Sequence, residues 1–254
     1  MRIARIPRPP MNPPLTDDPP ESATKRRRVY LMRHGQVTYF DDTGKPHLPD
    51  KVPLTDHGRA QAEAAGRVLA HVRFDRVIAS PLPRTLETAE CVLAQAMHRP
   101  PIESWADFTE IKGGRLKDIP EAELEKEFYS AFQGVVPEHV RFLRGESVGE
   151  LMDRVHPALE RLAADRSWDT ALLVLHGGVN RAILSYALTG SRLFLGNLMQ
   201  APGCINVIDV GERAGHDWIV RAVNHSPTDV AHAETRLTTM EELLQQYRKS
   251  LERR

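Results

Sequence analysis

The chain has 254 residues and a mass of 28.6 kDa; with 41% hydrophobic and 27% charged residues it is neither collagen-like, coiled-coil nor wholly disordered. Thirty-four basic residues balance thirty-four acidic ones, so no global field draws the chain to nucleic acid or to an anionic membrane. No apolar run approaches the ~20 residues of a membrane span. The two cysteines, Cys91 and Cys204, are too few for a disulfide scaffold or a thiolate zinc cluster, and they suit a reducing compartment, the cytoplasm.

The first twenty residues hold seven prolines and lack the apolar stretch of a secretory signal. Residues 1–27 are therefore expected to be a disordered Pro-rich tail, and 28–254 a single domain. Lys25 to Arg28 reads as a solvated basic flank of the first strand. Val29 to Met32 is a short strand ending in Arg33, His34 and Gly35. Thr55 is an N-cap signal, and the helix after it should bury Ala64, Ala65, Val68, Leu69 and Val72. Phe74 to Ala79 reads as a second strand. Ser80 and Pro81 then open a helix as N-cap and first residue, with Leu82, Leu86, Ala89, Leu93 and Ala96 facing inward.

A third short strand is expected near Pro101 to Trp105. Residues 106–146 are irregular, with a charged helix around Glu121 to Phe128, and suit a cap that sets specificity. Ser147 caps a helix striped by Leu151, Met152, Val155, Leu159 and Leu162. Ala171 to Leu175 is the most apolar strand and runs into His176, Gly177 and Gly178, then a helix from Val179 to Leu188. Cys204 to Val210 and Asp217 to Val223 read as a hairpin. The last helix, 238–252, carries Met240, Leu243, Leu244, Tyr247 and Leu251, a stripe that suits core packing or a homodimer contact equally.

Strands alternating with helices predict an α/β fold with a mainly parallel sheet covered on both faces. Ligands in such sheets sit beyond the carboxyl ends of the strands. Arg33-His34-Gly35, Ser80-Pro81 and His176-Gly177-Gly178 all follow strands directly. A neutral histidine is a nucleophile toward phosphorus, and a phosphoryl group needs cationic donors around its equatorial oxygens. Arg33, Arg84 and His176 beside His34 would form such a cup, with helix N-termini adding positive dipole ends.

The stretches LMRHGQ (31–36), LTDHGRAQAEAAG (54–66), ASPLPRTLETAE (79–90), FTEIKGGRL (108–116), GESVGELMDRV (145–155) and VLHGGVNRAIL (174–184) resemble the histidine phosphatase superfamily, in its phosphoglycerate-mutase-like branch, in order and spacing. The resemblance implies that fold family's three-layer sandwich, a phosphohistidine on His34, and a phosphate pocket of Arg33, Arg84 and His176. It also implies a carboxylate proton donor, best matched by Glu110. Physics alone would admit Asp107 or Glu103, since a leaving alkoxide only requires a partly desolvated carboxylic acid. Gln36 and Gly177 fall where substrate contacts are expected, while His57 reads as a surface histidine and Asn180 and Arg181 as braces. Lys112 and Arg115 could meet a second anionic group or be solvated.

Where the family often has Trp-Asn after the first motif this chain has Tyr39 and Phe40, and the following loop lacks the arginine of the mutases. The expected activity is therefore hydrolysis of a small phosphorylated substrate without metal or other cofactor, rather than mutase action or silent phospho-ligand binding.

Overall fold

The computed structural model describes residues 26–41, 45, 47–48, 50–212, 217–234 and 236–252. Among these the chain runs β1 (Arg27–Arg33), α1 (Asp56–Leu69), β2 (Arg76–Ala79), α2 (Pro83–Ala94), β3 (Ile102–Ser104), α3 (Leu124–Tyr129), α4 (Val148–Ala164), β4 (Thr170–Leu175), α5 (Gly177–Thr189), β5 (Ile205–Val210), β6 (Trp218–His225) and α6 (Thr239–Glu252). The expected Pro-rich tail falls outside them except for its last two residues.

The sheet has the order β3-β2-β4-β1-β5-β6. Its first four strands are parallel, and β5 and β6 continue it as the expected antiparallel hairpin. Alternation on the central strands supplies both faces, since successive side chains in a strand point opposite ways. Leu172 and Val174 of β4 join Met32, Ala65, Leu69 and Ala89 beneath α1 and α2. Ala171, Leu173 and Leu175 join Leu31, Leu151, Met152, Val155 and Ile183 beneath α4 and α5. The result is the expected α/β three-layer fold. The predicted stripe of α4 is fully buried, at about 1.5–3 kcal/mol for each large side chain. Ser147 and Glu150 close its N-terminus as a reciprocal capping box.

Several local readings shift. Val68 is 53% exposed, because the buried face of α1 runs through Gln61, Ala62, Ala65 and Leu69, and a neighbouring residue points about 100° away. Phe74 is buried in the core but precedes the paired part of β2. Helix α2 begins at Pro83, not Pro81, after Leu82 in extended conformation. Arg27, expected in the tail, starts β1, lies over the Trp168 ring and donates to the Ala163 and Asp165 carbonyls. Its neighbour Arg28 pairs with Asp209. The stripe of α6 packs within the chain: Leu244 is buried with Ile119, Leu124, Phe128 and Leu143, flanked by Met240, Leu243 and Tyr247, while Leu251 stays exposed. This ties α6 to the 116–143 segment, which otherwise consists of short helical turns around α3. Among the described residues no helix is long and apolar enough to cross a membrane.

Candidate active site

Strands β2, β4 and β1 are neighbours, so the three loops read from the sequence meet at one sheet end. Two glycines seat the first loop. A side chain on Gly58 would overlap the Gln36 carbonyl, and one on Gly35 would overlap the Gly58 carbonyl, so the loop after β1 lies directly on the first turn of α1. Thr55 caps that turn, accepting from Gly58 N at 3.0 Å. Gly35 N donates to Thr88 Oγ1 of α2, and Gln36 N to Gln61 Oε1.

This places His34 at the centre, 2% exposed, with Arg33, Arg84 and His176 at 6%, 3% and 0%. His34 Nδ1 lies 2.7 Å from the Gly35 carbonyl oxygen. A carbonyl only accepts, so Nδ1 carries the proton and Nε2 keeps its lone pair. Burial, then the charges of Arg84 and Arg33, hold the His34 pKa well below the ordinary histidine value. His176 is held down likewise by burial and Arg84. The two rings lie edge to face, 5.2 Å apart. Ser80 Oγ sits 2.6 Å from His176 Nε2, so the serine expected to cap a helix instead fixes this ring. Buried Arg33 Nε and His176 Nδ1 make no hydrogen bond among the described residues. An oxyanion between them would meet both.

Arg33 Nη1 donates to the Gln200 carbonyl at 2.6 Å and to Thr239 Oγ1 at 2.7 Å, so the first turn of α6 reaches the site. Asn180 braces the same end by donating to Gln200 Oε1. The Glu110 carboxylate accepts from Gly178 N through both oxygens, at 3.1 and 3.2 Å, and from Ile111 N at 2.9 Å. It is thereby oriented at the N-terminus of α5, beside His176 and Gly177. The rival carboxylates are engaged elsewhere: Glu103 pairs with Arg76 at the sheet edge, and Asp107 with Arg161 on the surface.

The structure adds a residue that lies in the 145–155 stretch but was given no role from the sequence. Arg154 of α4 donates to the carbonyls of Asp107, Thr109 and Glu110 and forms a two-pronged pair with Glu146. It thus clamps the backbone that carries Glu110. Gln36 lines an adjoining cavity of about 460 Å³ with His57, Gln61, Asn224, His232 and Glu242. Lys112 and Arg115 are exposed.

A protein-family model described as the histidine phosphatase superfamily (branch 1) matches residues 29–225. The chain belongs to this superfamily. Many of the relatives it matches carry phosphatase names, and one is a phosphoglycerate mutase-like protein of Arabidopsis thaliana, 24% identical over 227 residues. The metal-independent phosphoserine phosphatase of Arabidopsis thaliana is 31% identical over 208 residues, covering 80% of this chain and 82% of that protein. The 2-carboxy-D-arabinitol-1-phosphatase of Triticum aestivum is 27% identical over 238 residues, or 92% of this chain; the chain spans 46% of that longer relative. The alpha-ribazole phosphatase of Shigella flexneri shares the fold at a TM-score of 0.60 and 23% identity, over 78% of this chain and 96% of its own. Helix α6, which delivers Thr239 to Arg33, lies beyond the superfamily match.

Proposed function

We propose that this histidine phosphatase hydrolyses small phosphomonoesters without metal, through a phosphohistidine on His34, in the reducing cytoplasm. The observation that carries the reading is the His34 ring itself: its Nδ1 proton is bound to the Gly35 carbonyl, so Nε2 is a lone pair buried among cations. Nε2 attacks phosphorus and the ester P–O bond breaks. Arg33, Arg84 and His176 stabilise the equatorial oxygens of the transition state, where charge is spread over them. Glu110 gives its proton to the leaving alkoxide, then takes one from the water that breaks the P–N bond and releases inorganic phosphate. Gln36 and Gly177 line the approach of the substrate. The phosphatase names of the phosphoserine and 2-carboxy-D-arabinitol-1-phosphate relatives, and the tyrosine and phenylalanine at positions 39 and 40, support hydrolysis over mutase action.

Rapid quenching into base during turnover should trap acid-labile, base-stable phosphate on His34, and His34→Ala should abolish turnover. Activity should survive EDTA, and vanadate should inhibit as a pentacoordinate mimic. Full activity of His34→Ala, or a strict need for added divalent metal, would overturn the mechanism.

A further inference from the structure

Strand β2 pairs in parallel with β4, with Ala79 opposite Val174. The residues just past the two strands, Ser80 and His176, therefore meet although they lie 96 positions apart. Ser80, Thr85 and His176 are each 0% exposed, so bulk water does not settle which of them donates. Their protons can be counted instead. The Thr85 hydroxyl directs its proton to the Leu82 and Ser80 carbonyls, at 2.7 and 2.9 Å. Toward Ser80 Oγ it can then only accept. The Ser80 proton thus faces two acceptors, Thr85 Oγ1 at 3.1 Å and His176 Nε2 at 2.6 Å, and the shorter contact is the stronger. The serine oxygen itself accepts from Leu82 N at 3.3 Å.

The far side of the ring supplies the deciding constraint. His176 Nδ1 lies in the cup with Arg33 Nε and makes no hydrogen bond among the described residues. Burial and the charge of Arg84 hold the ring neutral at ordinary pH. A neutral imidazole has one N–H and one lone pair. With the proton on Nε2, the Nδ1 lone pair would face a phosphoryl oxygen and repel it. With the proton on Nδ1, the ring donates to that oxygen, and Nε2 requires a donor of its own.

We propose that Ser80 is a positioning residue for His176: with an oxyanion in the cup, the serine hydroxyl donates to Nε2 and so keeps the ring proton on Nδ1, aimed at the oxyanion. Ser80 touches neither substrate nor reacting atoms and acts through His176 alone. A hydroxyl suits this task because it carries no charge and leaves the positive field of the cup intact. A carboxylate in its place would draw the ring toward imidazolium and offset the arginines. The inference rests on the phosphatase reading for its link to turnover.

The test reads the two ring nitrogens directly. Protein carrying histidine with labelled ring nitrogens is observed by nitrogen NMR with inorganic phosphate saturating the cup, and His176 is assigned by the loss of its signals in His176→Asn. Nδ1 should be protonated and Nε2 should carry a hydrogen-bonded lone pair. A protonated Nε2 in the phosphate-bound, unsubstituted protein, which needs no variant to fold, would overturn the proposal. In Ser80→Ala the kcat for p-nitrophenyl phosphate should fall roughly 10- to 100-fold, the scale of losing a partner that orients a histidine, with KM changed by less than about threefold. That split follows because charge on the equatorial oxygens peaks in the transition state. A merely structural role would lower the melting temperature and leave kcat as it was, and that result would equally remove Ser80 from the role. Absence of p-nitrophenyl phosphate hydrolysis by the unsubstituted protein would instead count against the phosphatase reading, and the nitrogen spectrum would still decide where the proton sits.

Discussion

Arg154→Met separates holding the fold from holding the acid. The substitution keeps a stem that fills the same space but removes the guanidinium donors to the Asp107, Thr109 and Glu110 carbonyls and takes the cation away from Glu146. The Arg154 and Glu146 side chains are 21% and 12% exposed, so the pair is largely buried. Breaking a buried pair from one side costs about 3–5 kcal/mol, and partial exposure puts this case near about 3. At about 2–4 °C per kcal/mol for a chain of this size, melting should fall by on the order of 10 °C.

Catalysis should respond differently from stability. A displacement of about 1 Å can cost roughly a hundredfold when a reacting group is misplaced. The misplaced group here is Glu110, the proposed general acid, and a general acid matters when the leaving oxygen is basic. Turnover of an alkyl phosphate should therefore drop about 10²-fold, and that of p-nitrophenyl phosphate by less than about tenfold. Both substrates are assayed well below the variant's melting temperature, beside Arg154→Lys. Lysine keeps the charge for Glu146 but lacks the planar fork that spans three carbonyls. It should recover more of the stability than of the leaving-group ratio. Equal losses on the two substrates, or a lowered melting point with the ratio intact, would show that Arg154 only holds the fold together.

Glu110→Gln should lose about 10²–10⁴ on alkyl phosphates and much less in the p-nitrophenyl phosphate burst. Glu103→Gln and Asp107→Asn should keep the unsubstituted leaving-group ratio, since Arg76 and Arg161 hold those carboxylates away; a selective loss at Asp107 would move the acid there. Because His34 and His176 are held neutral when folded, the unfolded chain takes up their two protons near pH 6.5 and the folded chain only well below it. Their contribution is thus fully present above about pH 6.5 and is lost as pH falls, with a slope approaching about 2.7 kcal/mol per pH unit; urea melts in which a His34→Asn, His176→Asn double variant shows the same slope would refute it. Gly58→Ala should destabilise the protein by about 1–3 kcal/mol and slow turnover, although alanine favours a helix, because the new methyl overlaps the Gln36 carbonyl; a raised melting temperature would contradict the close approach.

The strand ends that converge on His34 were legible because each lies where an apolar run stops and a helix begins, a signal confined to a few adjacent residues. What was misread has one physical cause. Ser80 carries every local mark of an N-cap, yet its hydroxyl is taken by His176, which arrives 96 residues later. Arg27 looked like a solvated flank, yet the carbonyls of Ala163 and Asp165 bury its guanidinium. Arg154 and Arg181 likewise bind carbonyls of segments far along the chain or around a loop. A main-chain carbonyl is the same at every residue, so such a partner leaves no mark in the sequence of the segment that supplies it. The stripe of α6 was ambiguous for a related reason: its partner, the 116–143 segment, has no periodicity of its own to announce a complementary face. The cap, α6 and the two arginine clamps are therefore the parts a single sequence cannot pair.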